Sequence, residues 1–144
     1  MTPPLPQAAP PAGRRELRLA RLWWLMGWLL LLGVVYACLE PSSSAPNLHV
    51  NDKIEHAAAY FLMGFWFGGL LEQRSYPLLA FGLLFLGALI EVAQAVMGWG
   101  RTGDVRDFIA DAVGVAASLA LVYAGLGSWL MQLERRCGLS HESS

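Results

Sequence analysis

The stretch LWWLMGWLLLLGVVYACL, residues 22–39, carries no charged side chain. As an α-helix it is about 27 Å long at 1.5 Å per residue. That is close to the roughly 30 Å hydrocarbon thickness of a bilayer. Trp23, Trp24 and Trp28 gather at its start, where an indole suits the membrane–water interface. Four arginines, Arg14, Arg15, Arg18 and Arg21, stand just ahead of it. Residues 1–13 hold five of the eight prolines, so residues 1–21 read as a disordered, basic tail. The run Val35-Tyr36-Ala37-Cys38 is only a loose match to a lipoprotein cleavage site, so the block is expected to stay as a span.

Three further apolar blocks follow, at about residues 54–71, 77–97 and 107–130. The whole chain is 56% hydrophobic and 15% charged, against about 25% charge in an ordinary soluble domain. The reading is an all-α polytopic membrane protein, a bundle of four transmembrane helices over residues 22–133 with a tail at 134–144. Net charge is −1, which excludes nucleic acid as a partner on electrostatic grounds. The short loop 72–76 makes the second and third blocks antiparallel neighbours. Cys38 and Cys137 fall at opposite ends of the bundle and are expected to be unpaired.

Orientation follows the Lys/Arg bias. With the N-terminus inside, the inner segments hold Arg14, Arg15, Arg18, Arg21, Arg74, Arg135 and Arg136. The outer ones hold Lys53, Arg101 and Arg106. Both termini are therefore expected in the cytoplasm, N-in/C-in.

Polar residues in the blocks are not scattered. Asp52, His56 and Tyr60 lie at i, i+4 and i+8, one stripe of the second helix. Glu91 and Gln94 lie one turn apart before the third helix exits, and Asp107 and Asp111 one turn apart as the fourth begins. Lys53 and Arg101 belong to the same outer end. Glu91 is about 9 Å inside Met97, below the head groups, so it needs a partner from Arg101, Arg106, Lys53 or His56. The spacing fits a buried network that ties three helices together. It also fits a pocket open to the outer face, for acid/base work or for an anionic head group. No dedicated metal motif is present, and no metal or other cofactor is expected. Gly64 with Gly68, and Ala110, Gly114 and Ser118, match the small-xxx-small pattern of helix contacts. Tyr76 and Trp99 read as interfacial anchors.

Asn51-Asp52-Lys53-Ile54-Glu55-His56, with Tyr60, resembles the first motif of the VanZ-like membrane proteins. Glu91-Val-Ala-Gln94 looks like their second motif. Arg101-Thr-Gly-Asp104-Val-Arg-Asp107-Phe-Ile-Ala-Asp111-Ala-Val-Gly114 looks like their third. The resemblance spans about residues 50–120. It departs at Asp111, where the family usually has Asn, which adds an acid here. It implies a polytopic protein of the bacterial inner membrane, in a family whose namesake is linked to teicoplanin resistance. The expected function is recognition of an anionic lipid or cell-envelope head group, with Lys53 and Arg101 on the anion. The alternatives are a lipid-modifying enzyme using His56 with Glu91 or Asp107, and a scaffold whose polar cluster is structural.

Overall fold

A computed structural model describes residues 17–40, 52–97 and 104–138. These residues are helical throughout their regular elements. They form α1 (Ala20–Leu39), α2 (Asp52–Leu70), α3 (Tyr76–Met97), α4 (Val105–Tyr123) and the short α5 (Trp129–Arg136). Single 3₁₀ turns at Gln73–Ser75 and Leu126–Ser128 lead into α3 and α5. Residues 1–16 of the expected tail, Trp99 and Arg101 lie outside the described residues, whereas Leu17 to Arg21, expected in the same disordered tail, are part of the fold, with Leu17 buried and α1 beginning at Ala20.

Among the described residues two segments are long and apolar enough to cross a membrane, Ala20–Leu39 and Gln73–Met97. A third joins them if α4 and the segment after it, bent by 84°, count as one span. The polar first turns of α2 and α4 dilute their apolar character. A row of large apolar side chains on α3, Leu78, Phe81, Phe85, Leu89, Val92 and Val96, is exposed. An exposed apolar stripe of that length is unsuited to water and suits lipid.

Lipid tails are as apolar as Leu, so helices in a membrane associate through close packing rather than water exclusion. The α2–α4 contact shows how. A Cβ on Gly114 would run into the Ala57 carbonyl, one on Gly64 into the Ser118 hydroxyl, and one on Gly68 into Val122. The small residues picked out in the sequence are thus where the two backbones meet. Ser118 turns its hydroxyl onto its own helix, donating to the Val115 carbonyl at 2.8 Å.

The fourth helix differs from the sequence expectation of one continuous element to about residue 130. It stops at Tyr123, because Gly125 takes a left-handed φ of 119° and turns the chain aside. The α5 that follows is strongly amphipathic, with Leu130 and Glu134 buried one turn apart. Glu134, at first reading the start of a tail, is therefore part of the fold. Its Oε2 accepts the Arg18 backbone N–H at 2.8 Å, and its Oε1 accepts the Leu19 N–H at 2.9 Å and the Trp23 indole N–H at 2.7 Å. These are donors at the start of α1 that no helical carbonyl can serve. Trp66 donates to the Trp23 carbonyl at 3.2 Å, and Trp129 packs on Phe65 and Trp66 beside it.

Tyr76 corrects its expected role. It is not an interfacial anchor: it is buried and donates its hydroxyl hydrogen to the Gly68 carbonyl at 3.2 Å. Among the described residues neither cysteine forms a disulfide, with Cys38 buried and Cys137 exposed.

Candidate functional site

The helices run up and down, so the start of α2, the end of α3 and the start of α4 meet at one end of the bundle. Arg18, Arg21, Arg74, Arg135 and Arg136 belong to the other end.

Asp104 begins the site. It is the N-cap of α4, with its Oδ1 accepting the Arg106 N–H at 2.9 Å. This satisfies one of the free helix-end donors and sets a carboxylate at the positive end of the helix dipole. The Arg106 N–H, against the opposing effect of burial and with help from Lys53, holds the Asp104 carboxyl below the usual range. The Lys53 ammonium reaches across from the first turn of α2, 3.3 Å from Asp104 Oδ2 and 3.0 Å from Asp107 Oδ1. Asp107 is buried while Lys53 and Asp104 are partly exposed.

One turn deeper, His56 Nδ1 lies 2.9 Å from Asp111 Oδ1, with both side chains buried. The stripe read on α2 accounts for this. It turns His56 and Tyr60 inward and leaves Asp52 exposed at the helix start. Gly114, one turn after Asp111, lets α4 approach closely enough for the pair to form.

Glu91 closes the site from α3. Its Oε2 accepts the Asp104 backbone N–H at 2.7 Å, and its Oε1 is buried with no hydrogen-bond partner among the described residues; Arg101, the first of its expected partners, lies outside them. The Tyr60 hydroxyl, on a fully buried side chain, also lacks a partner. Unpaired buried polar atoms are rare and costly, about 1–3 kcal/mol each.

The structure thus brings together Lys53, His56, Tyr60, Glu91, Asp107 and Asp111. Asp52 offers an oxygen within 4.8 Å of ligand atoms on His56 and Asp107. Gln94 is used elsewhere: its amide donates to the Cys38 carbonyl at 2.8 Å and ties α3 to the end of α1. Asp104 is the residue that sequence reasoning passed over. The spacing Asp104-Val-Arg-Asp107, an N-cap residue with an acid three positions on, was the available signal.

Beside Glu91 a groove of about 310 Å³ runs between α3 and α4. Its walls are Ala88, Val92, Ala95, Val105 and Phe108, and Glu91 is the one polar residue among its described lining.

Comparison with protein-family models, with curated proteins and with solved structures gives no match to this chain.

Proposed function

We propose that this chain is a VanZ-like, four-span protein of the bacterial inner membrane, N-in/C-in, that receives the head group of an anionic envelope lipid at the outer end of its bundle. The observation that carries the reading is the α3–α4 groove, whose described lining is apolar except for Glu91, a glutamate with one oxygen unpartnered among the described residues. Lys53, shared between Asp104 and Asp107, is the cation that a phosphate would draw across. The carboxylate left with an open oxygen, Glu91, accepts hydroxyl or amide hydrogens of the same head group. Arginines grouped at the far end support the orientation, since the cytoplasmic side retains the positive charge. At 19 residues each, α2 and α4 are long enough to span. Their polar atoms are turned onto each other rather than onto lipid. The family resemblance makes lowered susceptibility to teicoplanin the phenotype to look for.

Native mass spectrometry of the detergent-purified protein tests the binding. Wild type should retain a phospholipid that Lys53→Ala and Glu91→Gln lose while still folded. Equal retention by all three would remove the proposal. Orientation is read at exposed Cys137, which a membrane-impermeant thiol reagent should label only after the cells are opened.

The His56–Asp111 pair favours a second reading. A carboxylate fixing one imidazole nitrogen leaves the other set for proton transfer. This reading requires turnover of a lipid substrate that stops in His56→Ala.

A further inference from the structure

We infer that His56, Glu91 and Asp111 form a binding site for a single divalent transition-metal ion, with Zn²⁺ the best match. The inference stands on the geometry of these residues; it shares Glu91 with the head-group reading, whose hydrogen bonds to the open oxygen the ion would replace.

Each of the three offers a ligand atom within 4.8 Å of the other two. A tetrahedral ion with bonds of about 2.1 Å holds its ligand atoms about 3.4 Å apart, so small side-chain rotations suffice to close the set. The three arrive from three helices, α2, α3 and α4, and no spacing within one helix announces them. One imidazole nitrogen and two carboxylate oxygens form a borderline donor set. That suits Zn²⁺ or Mn²⁺ better than Ca²⁺, which takes six to eight oxygens, or a soft ion held by thiolates.

The polar atoms without partners supply the independent observation. Among the described residues the buried Glu91 Oε1 accepts no hydrogen bond, and the hydroxyl of fully buried Tyr60 has no partner. A Cβ on Gly87 would stand 2.7 Å from Asp111 Oδ2 and 3.2 Å from the Tyr60 hydroxyl, so these two oxygens border one small space. An ion bound to Glu91 and Asp111, carrying one water, gives the open Glu91 oxygen a ligand and the Tyr60 hydroxyl a hydrogen-bond partner. Charge agrees, because two carboxylates neutralise a divalent ion, and a neutral complex is what a site below the membrane surface tolerates. Asp52, His56 and Asp107 also come within ligand distance of one another. That alternative is the poorer one, since the Lys53 ammonium stands 3.0 Å from Asp107 and repels a cation.

The test uses full-length protein in detergent, stripped with chelator, equilibrated with Zn²⁺ and desalted, with metal content read by mass spectrometry. Co²⁺ serves as a coloured probe of the ligand field. Wild type should hold about one ion per chain. His56→Ala and Glu91→Gln should bind about tenfold more weakly or worse, and Tyr60→Phe should change the Co²⁺ spectrum without removing the ion. If His56→Ala does not fold, Glu91→Gln decides, since it keeps the shape and the hydrogen bond from Asp104. Wild type with no ion above a detergent blank, or Glu91→Gln binding as tightly as wild type, would overturn the site. Lipid retained by chelated protein that takes up no Zn²⁺ would overturn it too, while leaving the head-group proposal intact. Zn²⁺ bound by protein that retains no lipid would support it alone.

Discussion

Glu134 and Glu91 are two glutamates at opposite ends of one bundle, and they are treated differently. Glu134 receives three N–H donors on its two oxygens. Glu91 receives one, and its other oxygen is buried without a partner. A carboxylate whose acceptors are filled by its own chain is a structural element, complete before any ligand arrives. A carboxylate left half-filled costs stability, and a ligand can return that cost. Partner count, rather than burial or charge, separates the two roles.

The comparison can be broken by substitution. Glu134→Ala is expected to have the largest effect. It strands two backbone N–H groups and an indole N–H at the start of α1, a loss of about 2–5 kcal/mol. A large fall in the thermal midpoint in detergent would show it, and a midpoint near wild type would end the distinction. Gly114→Ala comes next, at about 1–3 kcal/mol, because the added methyl meets the Ala57 carbonyl where backbone cannot yield. Gly33→Ala, which has open space, serves as the control in the same melt and should shift little.

Glu91→Gln sharpens the contrast from the other side. The amide oxygen still accepts the Asp104 N–H, so stability should change by about 1 kcal/mol or less, while ligand retention falls. A melt as damaged as that of Glu134→Ala would make Glu91 structural as well. Lys53→Ala should shift the melt least of these, since its ion pairs are partly exposed and screened by solvent. The Asp104 contribution has a definite pH sign. Its carboxyl is held below the usual value. Its stabilisation is therefore present at neutral pH and fades as the pH drops below about 4. Asp104→Asn should flatten that part of an acid titration followed by melting temperature.

Much of the helical layout was legible because lipid imposes a coarse rule. Residues 22–39 and 77–97 announce themselves by length and apolarity alone. The small residues Gly64, Gly68 and Gly114 were legible as contacts, and periodicity gave the inward stripe of His56 and Tyr60. Partner choice was not legible. Glu91 needed a partner, and charge suggested a cation, but among the described residues the backbone N–H of Asp104, across the break between α3 and α4, supplies it. The break at Gly125 was hidden because apolar residues continue on both sides of it. Glu134 was hidden with it, since its partners lie more than 110 residues earlier in the chain. Tyr76 misled because an aromatic at a block's edge suits both an interface and a buried carbonyl.

The α5 clasp also bears on how the chain is made. Residues leave the ribosome in order, so α1 enters the membrane with the N–H groups at its start unserved. It remains so until Glu134, more than 110 residues later, has been synthesised. The first helix is therefore made early but finished late, its start secured only when α5 folds back onto it.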